Sequence, residues 1–361
     1  MNNIFKELNS YTIMTDYSKN TRVELITICK ENGIKGYSTK KKSELIELLT
    51  LTPIEQVTNL FTIVKPFLKW VGGKTQILDT VLTLFPSKIT NYHEPFLGGG
   101  SVLLGILSYI RAGKIVVTGN IYASDINSNI INLYKTVQVN PQGLIDEVKI
   151  LTDEYVTIKG KEVNRTPKTK EEAKTSQQSY YYWIRSQFNS LNDKSSISAQ
   201  AMLIFMNKTC YRGLYREGPN GFNVPFGNYN NPTILDEEHI RHISELIKDV
   251  IFIAQPFQSS ISQTVSGDFV YLDPPYAPES DTSFVGYTSN GFNLNEHNKL
   301  FEMSKNMTDN KVKWVMSNAS VSLVKDNFQE PLYITKIISA RRAINSKNPE
   351  AKTNEVLIIN Y

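Results

Sequence analysis

Residues 268–278, DFVYLDPPYAP, decide the fold prediction. The apolar run 269–272 predicts a buried strand, and the two prolines after Asp273 end it because proline cannot donate to a sheet ladder. The strand therefore ends with an acid, Asp273, and an aromatic ring, Tyr276, held on a stiff turn. Ligands of open α/β sheets bind at the carboxyl ends of the strands. The stretch thus predicts the functional edge of such a sheet.

Other segments extend this strand into a sheet. Upstream, YHEPFLGGGSVLLGIL (92–107) is typical of strand, glycine loop and helix, and GNIYASDINSNIINLYKTV (119–137) of strand, acid and helix. Further strands are predicted in DVIFIAQPF (249–257), VKWVMSN (312–318), LYITKIISA (332–340) and NEVLIINY (354–361). This order predicts an α/β fold, a doubly wound Rossmann-like sheet at 65–149 and 249–361. A mostly helical insert at 150–248 is expected to split it.

A small amino-terminal module is expected at 21–50, between a loose tail (1–20) and a linker (51–64). Two helices are predicted there, with apolar faces made by Val23, Leu25, Ile26 and Ile28 and by Leu45, Ile46, Leu48 and Leu49. Ser38 or Thr39 is the expected cap of the second helix, which begins near Lys40, Lys41 and Lys42. Lysines are unfavourable at a helix amino terminus, so a phosphate there would relieve the mismatch. The stretch 24–49 resembles a SAP module, which implies DNA binding; a two-helix capping or dimerisation hairpin is the alternative.

Charge and composition narrow the classes of partner. The 361 residues carry a net charge of +4, but residues 156–220 hold eleven Lys and Arg against five Asp and Glu. This basic block indicates either a polyanion contact or a solvated surface. The two cysteines and four histidines have no metal-ligand spacing, so we expect neither a metal site nor a disulfide. Without a membrane-spanning run or a signal-peptide core, a cytoplasmic, reducing compartment is expected, with no membrane partner.

The glycine loop narrows the nucleotide chemistry. Gly98, Gly99 and Gly100 allow close approach of a ligand to the backbone. A dinucleotide fingerprint would need a third glycine at position 103, where Leu103 stands, and no P-loop follows the glycines. Asp125 ends the second strand where an acid would hold ribose hydroxyls. Its alternative role is to cap the helix that follows.

Five ordered motifs resemble the DNA adenine-N6 methyltransferase (Dam) family: FLKWVGGKTQIL, EPFLGGGS, ASDINSNIINLY, GFNVPFG and VYLDPPYAP. The resemblance covers about residues 65–361, and its motif order matches the α arrangement of amino-methyltransferases. It implies S-adenosylmethionine as cofactor, bound by Trp70, Lys74, Phe96, Gly98, Gly100, Asp125 and Asp273. Position 99 varies in the family, so Gly99 is expected to be less constrained. Without the resemblance, Trp70 would be interpreted as a core anchor and Lys74 as a surface charge.

The DPPY tetrapeptide suits methylation of an exocyclic amino group. The Asp273 carboxylate and the Pro274 carbonyl can each accept one hydrogen bond from the amino group, and Tyr276 can stack on the base. The adenine must flip out of the duplex first. By resemblance to the amino-methyltransferases, Asp at position 273 implies adenine as substrate in preference to cytosine, RNA or protein. A structural turn with a capping aspartate is the alternative.

The insert is the expected target-recognition domain. Tyr211, Arg212, Tyr215 and Arg216 cluster on an irregular loop, and arginine can bind guanine O6 and N7 bidentately. The resemblance places Arg216 against a guanine, whereas Arg212 replaces a frequent asparagine. Lys208, Arg185 and Lys194 suit phosphate contacts, and SYYYW (179–183) is expected in the insert core. Arg341 and Arg342 would face DNA, clamp the loop after DPPY, or lie in a solvated turn.

The main hypothesis is therefore a site-specific DNA adenine methyltransferase acting on double-stranded DNA, with GATC as the first candidate site. A restriction endonuclease acting on the same site is compatible with it as a partner. Two alternatives stay open at this point. One is a catalytically silent DNA-binding protein on a methyltransferase scaffold, and the other is an RNA or protein methylator.

Overall fold

A computed structural model describes residues 17–31, 34, 36–50, 62–278, 292–341 and 352–361. The chain divides into two compact units, Met1–Thr62 and Ile63–Tyr361. The first unit contains the helices α1 (Arg22–Glu31) and α2 (Lys42–Thr50), preceded by a 3₁₀ turn at Tyr17–Lys19. Its core consists of Leu25, Cys29, Ile34, Leu45, Leu48 and Leu49.

The two helices of the first unit differ from the sequence prediction in two details. Val23 is 72% exposed, because α1 buries Leu25 and Cys29, which lie four residues apart on one helical face. The predicted cap of α2 at Ser38 or Thr39 is wrong. The helix begins at Lys42, and the Lys41 amide donates to Glu44 Oε2 at 2.6 Å. The Glu44 side chain thus satisfies an amide at the helix amino terminus that has no partner within the helix.

The second unit is built on a seven-stranded sheet with the order β10-β11-β9-β8-β2-β4-β7. The run from β9 to β7 is parallel, and β11 is antiparallel to both β9 and β10. Its strands are β2 (Tyr92–Glu94), β4 (Ile121–Asp125), β7 (Val250–Ala254), β8 (Phe269–Leu272), β9 (Lys313–Ala319), β10 (Ile334–Arg341) and β11 (Lys352–Ile359). Short pairs form outside it: β1 (Lys88–Ile89) with β3 (Val116–Val117), and β5 (Glu217–Gly218) with β6 (Gly221–Phe222).

Packing on both faces of the sheet confirms the doubly wound prediction. Along β8, Phe269 and Tyr271 join one hydrophobic core, whereas Val270 and Leu272 join a second. Alternate side chains of a strand point to opposite faces, so a strand buried on both sides reads as a continuous apolar run. The helices of this unit are α3 (Leu78–Leu82), α4 (Ser101–Arg111), α5 (Ser128–Val139), α6 (Pro141–Thr157), α7 (Lys170–Ala173), α8 (Gln177–Ser190), α9 (Ile197–Thr209), α10 (Glu237–Leu246), α11 (Phe257–Ile261), α12 (Leu294–Asp309) and α13 (Ser322–Lys325).

The stretch between β4 and β7 is mostly helical. Tyr180, Tyr181 and Tyr182 of α8 are buried, which confirms that SYYYW belongs to the insert core. The expected start of the insert at residue 150 falls inside α6, and α10, which precedes residue 248, packs on α5. The chain therefore passes between the sheet domain and the insert through the helices α6 and α10, and residue 150 marks no break in the structure.

The strand order reverses beside β2. From β2 the chain builds outward through β4 to β7, then returns to place β8 on the other side of β2. The loops that leave the carboxyl ends of β2 and β8 must diverge to opposite sides, which opens a crevice there. The glycine loop follows β2 and the DPPY tetrapeptide follows β8.

Candidate active site and nucleic-acid interface

Lys74 joins the two loops at the crevice. Its backbone amide donates to Ser101 Oγ at 3.0 Å, at the start of the helix after the glycine loop. Its Nζ lies 2.7 Å from Asp273 Oδ2 and donates to the Gly72 carbonyl at 2.6 Å. Lys74 is 4% exposed, so its interpretation as a surface charge is wrong. The ion pair brings together two motifs that are far apart in the sequence.

Asp273 is held as an acceptor by this lysine. Burial raises the pKa of Asp273, while the charge and hydrogen bond of Lys74 oppose the rise; the nearby Glu355 adds to it. The side chain is 19% exposed, which leaves part of the carboxylate facing the crevice. An ionised carboxylate can only accept hydrogen bonds, so this environment suits an incoming N–H group.

Tyr276 is fixed by contacts on several sides. Its hydroxyl donates to Glu355 Oε2 at 2.8 Å, and Lys74 Nζ lies 5.0 Å from its ring centroid. The amide of the next residue, Ala277, donates to Asn318 Oδ1 at 3.0 Å. Burial raises the pKa of the Tyr276 hydroxyl, which keeps it a neutral donor. The ring is therefore a positioned surface beside Asp273.

Asp125 shapes the glycine loop from the end of β4. Its Oδ2 accepts the Gly98 amide at 2.9 Å and its Oδ1 accepts the Asn127 amide at 2.9 Å. Burial raises the pKa of Asp125, and these backbone hydrogen bonds oppose the rise. The helix-cap alternative for Asp125 is wrong, because Asn127 is the N-cap of α5 and accepts the Asn129 amide at 3.0 Å. Asp125 thus holds the glycine loop through one carboxylate oxygen and the turn before α5 through the other.

The glycine loop is packed under two aromatic side chains. Gly100 has φ +72°, and a Cβ there would lie 2.2 Å from the Tyr134 hydroxyl oxygen. A Cβ on Gly99 would lie 2.5 Å from the Trp70 Cβ, so Gly99 is sterically crowded too, but it lacks the positive φ of Gly98 and Gly100 and in this respect is less constrained than its neighbours. Trp70 is half-buried and packs against the main core, as a core anchor would. Its side chain also packs directly on Gly98 and Gly99 of the glycine loop.

Phe96 forms part of an aromatic wall on the other side of the loop. Its ring stacks on Phe257 with a centroid distance of 5.4 Å and meets Phe292 edge-on at 6.0 Å. Phe257 follows β7 at the same carboxyl edge of the sheet. Glu94, at the end of β2, accepts the Tyr92 hydroxyl at 2.6 Å, and burial raises its pKa to about 8. The crevice thus combines apolar rings with three strand-end carboxyl groups.

A second group of predicted residues gathers around the β5–β6 hairpin. Tyr211 is 42% exposed, and the Arg212 guanidinium lies 5.3 Å from its ring centroid. Arg212 has a left-handed backbone with φ 57°, which turns the chain sharply before Gly213. Arg216 is exposed, and its Nε donates to Asn223 Oδ1 at 2.6 Å. Three of the four residues predicted to cluster on this loop thus lie at the surface of the hairpin region.

Tyr215 lies apart from this exposed group and faces inward. Its hydroxyl accepts from Asn129 Nδ2 at 2.8 Å and donates to Glu217. Its ring lies 5.5 Å from that of Trp70. Burial raises the pKa of Tyr215. Tyr215 therefore connects the hairpin to the glycine-loop region.

Three predicted phosphate-binding cations are less available than the sequence indicated. Arg185 donates to the Val224 carbonyl at 3.1 Å, and Lys194 donates to the Leu191 carbonyl at 2.8 Å. Lys208 is half-buried, and burial together with the charge of Lys69 lowers its pKa. Arg185 and Lys194 therefore stabilise the insert itself.

Asn207 is a site residue that sequence reasoning missed. It is buried, its Oδ1 accepts the Lys69 amide at 2.9 Å, and its Nδ2 donates to the Lys69 carbonyl at 2.8 Å. Nδ2 also lies 3.3 Å from the Gly213 carbonyl. Asn207 thereby ties the segment that carries Trp70 to the hairpin loop. A polar residue at the end of the apolar run 201–206 was the available signal.

The amino-terminal lysines lie at the start of α2. Lys41 and Lys42 are exposed there, and Lys40 is half-buried. The Lys40 carbonyl accepts from Arg22 Nε at 2.9 Å, which holds the loop against α1. The side chain of Arg341 and all of Arg342 lie outside the described residues.

No helix in the part of the chain that the structure describes is long and apolar enough to cross a membrane. Within the same ranges, no group of three or more His, Cys, Asp or Glu side chains is placed to hold a metal ion.

Comparison with known proteins identifies the family. Residues 70–344 match the model of the D12 class N6 adenine-specific DNA methyltransferases. The chain is 36% identical to Type II methyltransferase M.MjaIII of Methanocaldococcus jannaschii over 308 residues, covering 82% of this chain and 99% of the relative. It is 31% identical to Type II methyltransferase M1.LlaDCHI of Lactococcus lactis subsp. cremoris and 30% identical to the DNA adenine methylase of Escherichia coli, covering 82% of this chain and 95% of each relative. The chain therefore belongs to the D12 class of N6 adenine-specific DNA methyltransferases.

Proposed function

We propose that the protein transfers a methyl group from S-adenosylmethionine to N6 of an adenine that has flipped out of a short DNA sequence. The observation that carries this proposal is the Lys74–Asp273 ion pair at the reversal of strand order. It fixes the glycine loop and DPPY against each other, which two substrates that must meet in line require. Family membership favours DNA over RNA or protein as the acceptor.

The residues of the crevice fit the cofactor. Trp70 and Phe96 offer apolar surfaces beside the glycine loop, and Asp125 keeps lone pairs for ribose hydroxyls beyond the two amides it accepts. The raised pKa values of Glu94, Asp125 and Asp273 reflect carboxyl groups crowded in a buried place, which a cationic sulfonium would stabilise in their ionised forms. When bound, S-adenosylmethionine supplies the electrophilic methyl group.

The DPPY residues would prepare the adenine amino group. Asp273 and the Pro274 carbonyl accept its two N–H groups, which localises the nitrogen lone pair for attack on the methyl carbon. The C–N bond would form as the bond between the methyl group and the cofactor sulfur breaks, and the surplus proton would then pass from the methylated nitrogen to water. Lys74 keeps Asp273 in place and ionised throughout, and Tyr276 holds the plane of the base. Positioning and electrostatics thus account for the catalysis.

Target recognition is assigned to the insert, taken as about residues 150–248. Arg216 is oriented by Asn223 and exposed, which supports bidentate contact with a guanine. Tyr211 is 42% exposed and would fill the gap left by the flipped base. GATC is our candidate sequence, because the relatives include DNA adenine methylases and the arginine position matches the family resemblance. Arg212 and Lys208 would add contacts to the backbone or to neighbouring bases.

The amino-terminal unit would add a second DNA-binding surface. The family model begins at residue 70, so the two helices at 22–50 lie outside it. Exposed Lys41 and Lys42 at the start of α2, with Lys40 beside them, support contact with a phosphate. A restriction endonuclease of the same specificity is a candidate partner, because two of the relatives are named Type II methyltransferases. Since its target is DNA, we assign the enzyme to the compartment that holds the genome, which for a bacterial or archaeal host is the cytoplasm.

The test is methylation of plasmid DNA with labelled S-adenosylmethionine, followed by nucleoside analysis and mapping of the modified sites. The unmodified protein is expected to make N6-methyladenine at one short sequence. Asp273→Ala should lose at least about 10²-fold in rate, as removal of a preorganised acceptor does. Asp309→Ala, which removes an exposed acid at the end of α12, is the matched control and should keep full activity. Methylcytosine, or no DNA methylation at all, would contradict the proposal.

A further inference from the structure

The hydroxyl of Tyr276 has a partner that lies far from DPPY in the sequence. It donates to Glu355 Oε2 at 2.8 Å. Glu355 lies on β11, where it pairs with Ala319 of β9 on one side and Ile338 of β10 on the other. A strand paired on both edges holds its backbone firmly, so the carboxylate is presented from a rigid part of the sheet.

A stacking ring must be held at one angle to be useful. A free side chain on a turn would lose rotational entropy when the base arrives, and this loss would raise the barrier to transfer. Two contacts already restrict the region: Lys74 Nζ lies 5.0 Å from the ring centroid, and Asn318 binds the amide of Ala277. Neither contact holds the far end of the ring, which the hydroxyl bond to Glu355 does.

The charge of Glu355 has an effect of its own. Within the described residues, the ionisable groups that interact with Asp273 are Lys74, Glu94, Glu355, Tyr271 and Tyr276. Among them Glu355 acts with burial to raise the pKa of Asp273, in opposition to Lys74. Glu355 therefore does not help to ionise the Asp273 carboxyl group. A benefit from this residue has to come through the ring that it binds.

We propose that Glu355 is a positioning residue of the methyl transfer, which holds the Tyr276 ring by its hydroxyl at the angle needed to stack on the target base. This inference rests on the function proposed above. Phe at position 276 would stack equally well but would lose the anchor. The chemistry of the ring and its positioning are thus separable by mutation.

The test compares Tyr276→Phe, Glu355→Ala, Glu355→Gln and the double variant Tyr276→Phe/Glu355→Ala in single-turnover methylation. Each of the first two is expected to lower the rate about tenfold, and the double variant should be no slower than either alone, because both substitutions remove the same hydrogen bond. Glu355→Gln keeps an acceptor oxygen and should stay within about threefold of the unmodified rate. Because Glu355→Gln removes a negative charge near Asp273, the pKa of Asp273 should fall. The acid limb of the rate profile of this variant should therefore move to lower pH. Glu302→Ala, an exposed acid on α12, is the control.

Two results would overturn the proposal. Rate losses that multiply in the double variant, or a fully active Tyr276→Phe, would show that Glu355 acts by another route. A readout that needs no activity separates this failure from failure of the proposed function. The Tyr276 hydroxyl proton, observed by NMR in protein with labelled tyrosines, should exchange with water faster in Glu355→Ala than in the unmodified chain. An unchanged exchange rate would refute the anchor even if the enzyme methylated nothing.

Discussion

The proposed methyl-transfer centre and the proposed recognition hairpin are built in opposite ways. In the centre, the side chains of Lys74, Asp273 and Tyr276 are bound to one another or to the sheet, and Lys74 is 4% exposed. On the hairpin, Tyr211 is 42% exposed and Arg216 lies at the surface. Chemistry requires groups that are in place before the substrate arrives, whereas recognition requires groups that DNA can reach. Mutations should therefore act differently in the two regions.

The largest effect is expected from Lys74→Met. It leaves Asp273 without its counter-charge in a place where burial already raises the pKa of that carboxyl, so the pKa rises further. Only the ionised carboxylate of Asp273 both accepts a hydrogen bond from the amino group and carries the negative charge that the reaction requires. We therefore expect the methylation rate to fall about a hundredfold at neutral pH. The acid limb of the rate profile should move to higher pH. Measured kcat over a pH series checks this, with exposed Lys65→Met as the control.

If the pH profile of Lys74→Met matched that of the unmodified protein, the ionisation of Asp273 would not depend on Lys74. The comparison of the two regions would then lose its main electrostatic argument. Recovery of activity by Lys74→Met at alkaline pH would instead strengthen the comparison. In that case the variant would keep its geometry and lose only the preference for the ionised acid.

A smaller effect, confined to sequence preference, is expected from Arg216→Ala. Removal of a bidentate hydrogen-bonded pair with guanine corresponds to about 1–3 kcal/mol, or roughly a 5- to 150-fold weaker discrimination between the preferred site and a site with that guanine replaced. Affinity for S-adenosylmethionine should not change, because Arg216 has no contact with the crevice side chains described above. Asn223→Ala should reproduce part of the effect, since Asn223 Oδ1 orients the guanidinium.

Competition between matched and altered oligonucleotides measures this discrimination, and calorimetry measures cofactor binding. Arg241→Ala, which removes an exposed arginine on α10, is the control. A variant whose rate fell equally on all sequences would place Arg216 among the phosphate-binding residues instead, and the hairpin would then carry no base recognition at that position.

The smallest effect is expected from Lys41→Gln/Lys42→Gln in the amino-terminal unit. Affinity for long DNA should fall a few-fold, and the slope of log affinity against log salt should become shallower by about one for each phosphate that the protein no longer binds. The turnover rate on saturating DNA should stay the same. Lys19→Gln/Lys30→Gln removes two exposed lysines that lie outside α2 and is the matched control. Equal decreases from both pairs would mean that net charge, and no particular site, binds the DNA.

Local features of the sequence determined the elements of the site. The run 269–272, closed by two prolines, predicted β8, and the glycines after β2 predicted a loop that opens a helix; both are confirmed. The buried SYYYW segment was also predictable, because clustered aromatic rings favour a core. These signals are local, since an apolar period, a turn residue or a proline acts within a few residues of itself.

The tertiary structure decided which of these elements meet. Placing β8 next to β2 brings Lys74 to Asp273, and placing β11 inside the edge of the sheet brings Glu355 to Tyr276. No local pattern marks either pair, because the partners lie on segments joined only by the order of the strands. The inward orientation of Tyr215 has the same origin: Asn129 and Glu217 satisfy its hydroxyl from two separate elements. The sequence by itself determined the strands, the turns and the chemical groups, and the strand order, which depends on packing both faces of one sheet, decided their partners.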